Sequence, residues 1–408
     1  MTGHWRGTKP AMLPLNGIRV LDFGRYIAGP YCAALLADYG ADVIRIERIG
    51  GNEDRFTVPV AEDGAGGSFL QMNRNKRSLA LALGTETGRA VMRRLVAQAD
   101  IVVANMPANA LEKAGLDLHS LSAIKPDIIL VTASAFGEDG PMAGWVGFDA
   151  VGQAMSGAVY LTGTPDQPYR AQVNYVDFGT ALHCAFGTMA ALMERQKTGK
   201  GQMVTGALLA TAVTFTNAAL IEQAITQVNR VPTGNRGQTS GPMDVYSTLD
   251  GKVQVAVTGN PLFKRWARLM GDAPGDPQWL DDPRFKDDDD RGRHGPVISE
   301  RMARWCAERA TQEIIAILGA AMIPCAPVLS PQQVLDHPQV QALGLLQDTD
   351  YPGLPAPAPI AAVPLWMTET QAVPRQRPPT LGEHTDEVLA SLGYSADELA
   401  TLRRDGVI

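Results

Sequence analysis

The chain has 408 residues and a formal net charge of -7, and its pI is about 5.5. A chain of this length is too long for one compact core, so two or more domains are expected. Hydrophobic residues make up 45% of the sequence and charged residues 19%, which is typical of a globular protein and not of a disordered one. The acidic balance and the lack of a strongly basic block argue against a nucleic-acid partner.

The four cysteines lie far apart, with no C-x-x-C pair and no Cys/His cluster. This spacing argues against a metal site or a disulfide framework and is typical of a reducing cytosol. The N-terminal segment MTGHWRGTKPAMLP lacks the apolar run of a signal peptide. No run approaches the roughly 18 apolar residues of a membrane span. We therefore expect a soluble, cytoplasmic protein with no membrane partner.

The first 150 residues alternate between strand and helix patterns. The predicted strands are 17–24, 41–48, 78–83, 100–106 and 126–137, and the predicted helices are 28–40, 85–99 and a segment near 119–125. Thr85 is expected to open the second of these helices. Such alternation indicates a doubly wound, Rossmann-like α/β domain, whose ligand crevice lies at the carboxyl ends of parallel strands.

Two long helical patterns follow at 177–196 and 206–225, and a predicted hairpin at 244–259 turns at Asp250-Gly251. Helices are predicted near 263–271 and 299–320, and two more near the end, at 384–393 and 395–406. The charged run DDPRFKDDDDRGRHG (281–295) is interpreted as a solvated loop. The Pro-rich span 352–382 is expected to be an extended linker. We expect a large domain over 1–200, a small α/β domain over 225–325, and a segment 326–408 that returns to the large domain.

Common catalytic motifs are absent from the sequence. It contains no P-loop, no G-x-S-x-G and no H-E-x-x-H, and the segment after the first strand, GRYIAGPY, lacks the glycine fingerprint of a dinucleotide site. A Rossmann-like alternation without that fingerprint favours a nucleotide-containing ligand other than NAD.

Several separate segments, in the right order, resemble the class III CoA-transferases, a family that includes formyl-CoA transferase and the carnitine CoA-transferases. These segments are GIRVLDFGRYIAGPYCAALLADYGADVIRIER, NRNKRSLALAL, NMPANALEKAGLD, SAFGEDGPMAGWVGFDAVGQAMSG, TGKGQMV and PTLGEHTDEVLASLGY. The resemblance extends over nearly the whole chain. It implies an enzyme that moves CoA from an acyl-CoA thioester to a carboxylic acid, an intertwined homodimer, and no permanently bound cofactor.

The resemblance places the family's nucleophilic aspartate at Asp177, just before a long central helix. Attack by this carboxylate on a thioester would give a mixed anhydride and then an aspartyl-CoA thioester. A helix N-terminus is expected to favour the carboxylate anion, and its backbone N–H groups to support an oxyanion. Without the family, Asp177 would be interpreted as a helix cap. Asp149, in GFDAVGQ, matches an acidic residue that assists catalysis.

CoA contacts also follow from the resemblance, since basic groups suit phosphates and apolar ones the adenine face. The matching positions are Ile27, Ala28, Arg48, Leu81, Asn105, Met106, Lys113 and Phe148. Two of the matched segments depart from the formyl-CoA enzyme: Ile27 replaces a catalytic glutamine, and Gly84 replaces a lysine. The first departure argues against oxalate-type chemistry.

Gly237 and Gln238 lie in GNRGQTSG, where the formyl-CoA enzyme has a longer glycine-rich loop that covers the active site. The alternative interpretation is a plain interdomain turn. His183, six residues after Asp177, is interpreted as a core histidine.

Three other functions are weighed against the transferase. An α-methylacyl-CoA racemase of the same superfamily would need a histidine where this chain has Phe148, and phenylalanine carries no proton. A dehydrogenase is disfavoured by the missing fingerprint, and a non-catalytic acyl-CoA-binding protein by the presence of Asp177. The sequence favours a short or medium dicarboxylate as acceptor and succinyl-CoA as donor.

Overall fold

The structure is a computed structural model and describes residues 13–271, 274–370, 372 and 375–408. The strands are β1 (Arg19–Asp22), β2 (Asp42–Glu47), β3 (Lys76–Ala80), β4 (Ile101–Val103), β5 (Ile129–Ser134), β6 (Gly163–Thr164), β7 (Gln167–Pro168), β8 (Met203–Ala207), β9 (Met243–Ser247), β10 (Lys252–Ala256), β11 (Cys325–Pro327), β12 (Leu346–Thr349) and β13 (Ala358–Ala361).

The α-helices are α1 (Ala28–Asp38), α2 (Gly67–Met72), α3 (Glu86–Val96), α4 (Ala108–Ala114), α5 (Leu118–Ile124), α6 (Asp149–Met155), α7 (Ala158–Leu161), α8 (Tyr175–Thr198), α9 (Leu208–Thr226), α10 (Asn260–Met270), α11 (Asp288–Arg293), α12 (Gly295–Ala307), α13 (Thr311–Ala320), α14 (Pro331–Leu335), α15 (Pro338–Ala342), α16 (Thr385–Ser391) and α17 (Ala396–Arg404). Short 3-10 helices occupy Glu53–Phe56 and Pro283–Phe285.

The first of two compact units contains the described residues up to Ser156, Ala171–Ala218 and Pro338–Ile408. Its centre is a six-stranded sheet in the order β3-β2-β1-β4-β5-β8, in which every neighbouring pair is parallel. Parallel strands end at the same edge, so the loops after β1, β2, β3 and β4 meet there. The expected α/β fold with a parallel central sheet is confirmed.

Helices cover both faces of this sheet, because successive strand residues point to opposite sides. Val102 packs into a core with residues of α3, α5, α16 and α17. Its neighbours Ile101 and Val103 pack on the other face with residues of α1 and α8. Thr85 caps α3 as expected, since its hydroxyl accepts a 2.9 Å hydrogen bond from the Gly88 amide.

The second unit contains Gly157–Arg170 and Ala219–His337. An antiparallel sheet in the order β11-β10-β9 packs its apolar face against helices. The predicted hairpin is present as β9 and β10, with Thr248 donating its backbone N–H to the Gly251 carbonyl at 3.0 Å.

Two predicted loops contain regular structure. The charged run 281–295 includes a 3-10 turn and α11, because the Asp287 carboxylate accepts the Asp290 amide and caps the helix. Phe285 and Arg291 of this run are buried, so it is not a solvated loop. Within the Pro-rich span 352–382, β13 pairs with β12, so the span is not wholly an extended linker.

Two helices, α8 and α9, are long and apolar enough to cross a membrane by length and composition alone. The expectation that no segment approaches a membrane span is therefore wrong for these two helices. The mean hydropathy of these two helices is high because they contain many alanines together with longer apolar side chains. Neither helix has one unbroken apolar run. Core helices of soluble proteins pass the same test, so this is weak evidence for a membrane.

Candidate active site

Asp177 is the third residue of α8 and lies beside Asp149, the first residue of α6. The residue that precedes α8, Asn174, provides no side-chain cap. Instead Asp149 Oδ2 accepts hydrogen bonds from the backbone N–H groups of Val176 (2.8 Å) and Asp177 (3.1 Å). A carboxylate from one helix thus caps the other and fixes the start of α8.

Both carboxylates are largely removed from solvent, with Asp177 9% exposed and Asp149 3% exposed. Burial first, and then repulsion by Asp149, raise the pKa of Asp177 to about 7. No cationic side chain among the described residues contributes to this shift. Asp177 therefore changes its charge close to neutral pH.

This geometry corrects two expectations about the start of α8. The helix N-terminus was expected to favour the Asp177 anion, but burial and then the neighbouring Asp149 raise the pKa of Asp177 and so favour its protonated form. The first amides of α8 were expected to support an oxyanion, but those of Val176 and Asp177 already donate to Asp149.

Gln153, which is not among the residues predicted from the sequence, is 1% exposed and lies one turn after Asp149 on α6. Its side-chain amide donates to Asp149 Oδ1, and its carbonyl oxygen accepts the backbone N–H of Ala171 at 2.9 Å. The i, i+4 spacing of an acid and an amide in DAVGQ is the signal that could have revealed it.

A cavity of about 530 Å³ opens at the carboxyl ends of the central strands. It is lined by Phe23, Arg25, Ile46, Glu47, Arg48, Ile49, Gly50, Asn52, Leu81, Ala82, Leu83, Gly84, Met106, Ala114 and Leu116. The lining is mainly apolar, with two arginines, so it suits a flat ring system attached to anionic groups.

Three of the positions matched to CoA contacts, Arg48, Leu81 and Met106, line this cavity, and so does Gly84. The Arg48 guanidinium pairs with Glu53 at 2.5 Å, and Arg25 reaches the other oxygen of Glu53 at 3.5 Å. Glu53 therefore pairs with both arginines of the cavity and can balance only one of their two positive charges.

The other matched positions lie elsewhere in the first unit. Asn105 follows β4 and exchanges two hydrogen bonds with the backbone of Arg25, at 2.6 and 2.8 Å. Ile27 precedes α1, Ala28 begins it, and both are buried. Lys113 is exposed in α4.

Phe148 directly precedes Asp149 and is 58% exposed. Its ring packs edge-on against that of Tyr26, with centroids 5.2 Å apart. Tyr26 has a φ of 61°, a left-handed backbone that a bulky residue rarely adopts. This contact joins the loop after β1 to the residue that precedes Asp149.

Similarity to known proteins identifies the family of this chain. A family model described as CoA-transferase family III matches residues 15–385. The chain belongs to this family. It is accordingly an enzyme of the CoA-transferase class, as the sequence motifs implied.

Two curated relatives are similar over nearly their whole length. The chain is 33% identical to a succinyl-CoA:mesaconate CoA-transferase of Haloarcula hispanica, over 93% of this chain and 96% of the relative. It is 32% identical to a succinate–glutarate CoA-transferase of Agrobacterium fabrum, over the same shares. Among solved structures, a CAIB/BAIF family protein from Brucella suis superposes with a TM-score of 0.81 at 29% identity, covering 93% of this chain and all of that one.

A buried ionic cluster supports the loops that carry this transferase's cavity. Arg45, Arg55 and Lys76 face Asp22, Glu47 and Asp54, and all six side chains are at least 95% buried. Lys76 Nζ lies 2.7 Å from Asp22, Arg45 lies 2.7 Å from Asp54, and Arg55 lies 2.5 Å from Glu47.

The cluster also holds the loop after β1. Asp22 Oδ1 accepts the Gly24 amide at 2.8 Å, and Arg45 donates to the Gly24 carbonyl at 3.0 Å. A side chain at Gly24 would lie 2.7 Å from that carboxylate oxygen, so this position needs glycine.

Gly237 and Gln238 lie in a loop of the second unit. Gly237 donates its backbone N–H to the Met243 carbonyl at 2.7 Å, and Arg230 donates to the Gln238 carbonyl at 3.3 Å. A covering role for this loop stays a prediction. His183 was interpreted as a core histidine, but it is exposed on α8, with Nδ1 3.3 Å from the Thr211 hydroxyl.

No cluster of three or more metal-binding side chains occurs among the described residues. The groups of this site that can take part in chemistry or binding are its two carboxylates and the lining of its cavity.

Proposed function

We propose that this enzyme transfers CoA from succinyl-CoA to a short dicarboxylic acid, with Asp177 as the nucleophile. The curated relatives above act, by their names, on mesaconate and glutarate with succinyl or succinate partners. The observation that carries the proposal is a buried carboxylate with a pKa of about 7, fixed at the start of α8 without a cationic partner among the described residues. Such a group is deprotonated at mildly alkaline pH and is poorly solvated, which favours nucleophilic attack.

The reaction consists of four acyl transfers through the carboxyl group of Asp177, two at the carbonyl carbon of the substrate acyl group and two at the aspartyl carbonyl carbon. The carboxylate attacks the thioester carbonyl of the donor, forming a mixed anhydride and releasing CoA thiolate. The thiolate attacks the aspartyl carbonyl of the anhydride, which releases the donor acid and leaves an aspartyl-CoA thioester.

The acceptor carboxylate then attacks the aspartyl thioester and releases the thiolate once more. The thiolate attacks the acyl carbonyl of the new anhydride, which yields the product acyl-CoA and regenerates Asp177. No proton has to be removed from carbon, so the site needs no pair of opposed bases.

We infer that Asp149 acts as a positioning residue. It accepts the backbone N–H of Asp177 itself, so it sets where the nucleophile begins its helix. It also raises the pKa of Asp177 by charge repulsion, which makes the carboxylate a stronger nucleophile once it is ionised.

The cavity at the carboxyl ends of the central strands is proposed to hold the nucleotide part of CoA. Leu81 and Met106 provide apolar surface for adenine, and Arg48 provides charge for phosphate. Roles in CoA binding are likewise proposed for Ile27, Ala28, Asn105, Lys113 and Phe148. No lysine is available at position 84, where the chain has glycine, and we propose that Arg25 supplies that charge.

A homodimer in the cytoplasm is the proposed assembly. Apolar side chains are exposed along α8 and α9, including Phe186 at 79% and Ile225 at 80% exposure, and patches of this kind mark interfaces. The four cysteines are free thiols, which suits a reducing compartment. A monomer by light scattering at micromolar concentration, or partition of the purified protein into lipid vesicles, would contradict this assembly.

The experiment that tests the function offers succinyl-CoA together with a panel of four- to six-carbon dicarboxylic acids. New acyl-CoA is measured by chromatography and mass spectrometry, with Asp177→Asn as the matched control. Transfer to at least one acid by the wild type only is expected. Solvent deuterium entering the α-carbon of a 2-methylacyl-CoA, without CoA exchange, would instead indicate a racemase.

A further inference from the structure

The side chain of Gln153 connects the Asp149 carboxylate of its own helix to Ala171, which is 18 residues away in the sequence. Its side chain is buried on α6 between the Asp149 carboxylate and the segment that leads into α8. Its amide nitrogen also lies 3.4 Å from the Ala171 carbonyl, while its oxygen accepts the Ala171 amide. The Gln153 side chain therefore contacts the backbone N–H and the carbonyl of Ala171 and also the Asp149 carboxylate.

The Asp149 carboxylate uses both of its oxygens. Oδ2 accepts the two amides at the start of α8, and Oδ1 accepts the Gln153 amide. No cationic side chain among the described residues shares this carboxylate in an ion pair of 4 Å or less. Gln153 is therefore the side-chain donor that holds Asp149 in its capping orientation, and a buried acceptor left without its donor is costly.

We propose that Gln153 is a positioning residue of the transferase, which orients Asp149 and, through it, the Asp177 nucleophile. The inference rests on the proposed function, because it assigns a role within the same site. It extends that function by naming the residue on which the geometry of the two carboxylates depends.

The alternative is that Gln153 only stabilises the fold by bonding the Ala171 backbone. The two roles use different atoms, since Oε1 binds the Ala171 amide and Nε2 binds Asp149. Gln153→Glu separates them, because it keeps the shape and the Oε1 acceptor but replaces the donor to Asp149 by an oxygen.

The introduced carboxyl group and Asp149 would share one proton, as closely spaced carboxyl groups do. While that proton is present, an O–H group can donate to Asp149 in place of the amide. Once it is lost, two carboxylates repel each other, Asp149 leaves its capping position, and the added charge makes Asp177 harder to ionise.

The wild-type rate should rise as Asp177 ionises near pH 7 and then stay level, since burial and Asp149 raise its pKa. The Gln153→Glu rate should instead pass through a maximum and fall on the alkaline side, by roughly tenfold or more relative to wild type at pH 9. Tyr175, whose own pKa is raised by burial and then by Asp149, is the other titrating group that faces this carboxylate. Tyr175→Phe in the Gln153→Glu background should leave the alkaline decline in place.

The measurement is kcat and KM for succinyl-CoA from pH 5.5 to 9.5, with CoA affinity by calorimetry and folding by circular dichroism. Gln153→Met, which removes both contacts, should lower kcat by about tenfold or more while CoA affinity changes less than about threefold. The matched control is Gln71→Met, because Gln71 Oε1 also accepts one backbone amide, that of Ala361 at 3.0 Å, away from the site.

If Gln153→Met does not fold, Gln153→Glu alone decides, because it keeps the bond to Ala171. Folded variants with wild-type kcat and a level alkaline rate, or losses no larger than those of Gln71→Met, would overturn the inference while the transferase activity itself stands. A wild type with no CoA transfer at all would instead overturn the proposed function.

Discussion

Two groups of buried acidic side chains in the first unit have opposite surroundings. In the ionic cluster, three carboxylates face three cations, and Lys76 and Arg45 bring the pKa of Asp22 below its ordinary value although burial acts to raise it. At the start of α8, Asp149 and Asp177 face each other and backbone amides, and the pKa of Asp177 rises to about 7. Cations can therefore outweigh the effect of burial on a carboxylate, as they do at Asp22, although the pKa of Asp54 in the same cluster is raised by burial in spite of Arg45.

The positions of the two groups match these roles. The ionic cluster lies within and beneath the strands, where Lys76 also donates to the Pro30 carbonyl and Asn73 and so ties α1 to β3. The carboxylate pair lies at the junction of two helices, where Asp177 keeps some exposure to solvent. The carboxylates of the ionic cluster are paired with cations and can support the site, whereas Asp149 and Asp177 form the pair for which a catalytic role is proposed.

The largest effect is expected from Asp177→Asn. An amide of the same shape cannot form the anhydride, so CoA transfer should fall by at least about 10³-fold while CoA still binds. Borohydride added during turnover should reduce an adduct at Asp177 in the wild type only, as peptide mass spectrometry can show. A variant with near-normal turnover would exclude the covalent mechanism.

In the ionic cluster, Lys76→Met should destabilise the fold by about 3–5 kcal/mol, because Asp22 would keep only Arg45, at 3.6 Å. The free energy of unfolding is measured by urea titration. The control is Lys197→Met, since Lys197 is 72% exposed and pairs with Glu194 at only 3.7 Å, and its loss should cost less than about 0.5 kcal/mol. Equal costs for the two variants would contradict the structural role of the cluster.

Asp177→Asn should have the opposite effect on stability. The pKa of Asp177 is raised in the folded state, so the stability associated with this group is present at low pH and is lost as the pH rises through about 7. The amide removes that loss, and the variant should be more stable than wild type at pH 8 by on the order of 2 kcal/mol. At pH 4 the two should unfold alike, and a gain at pH 4 as large as that at pH 8 would contradict the pKa shift.

The contrast between the two regions also shows what sequence patterns can and cannot reveal. The order of strands and helices followed from apolar spacing, and Thr85 was identified as a cap because capping is local. The strand predicted at 78–83 lies earlier, at Lys76–Ala80, and the buried Lys76 at its start pairs with Asp22, 54 positions away, which no local pattern reveals.

The proposed catalytic position followed from family resemblance, since nothing in the spacing alone separates Asp177 from an ordinary cap. Its environment could not be predicted, because Asp149 reaches the start of α8 from 28 residues upstream and takes the amides that an isolated helix would offer. Pairings of this kind depend on how helices pack, which no short sequence window contains. Gln153 is different, because its contact with Asp149 is local to α6, and only its contact with Ala171, 18 residues away, depends on packing.

The smallest and most specific effect is expected from Asp149→Asn on the pH profile. Burial and repulsion by Asp149 together raise the pKa of Asp177, so removing the repulsion should lower that pKa without returning it to its ordinary value. The rising limb of kcat/KM should move to lower pH by on the order of one pH unit, while the plateau rate falls because the α8 amides lose a charged acceptor. Exposed Asp139→Asn serves as the control and should leave the limb in place. A limb that stays fixed in Asp149→Asn would mean that burial alone sets the ionisation of Asp177. A limb that moves to higher pH would mean that Asp149 stabilises the Asp177 anion through the capped helix. The two carboxylates would then resemble Asp22 of the ionic cluster, whose charge is stabilised by its surroundings.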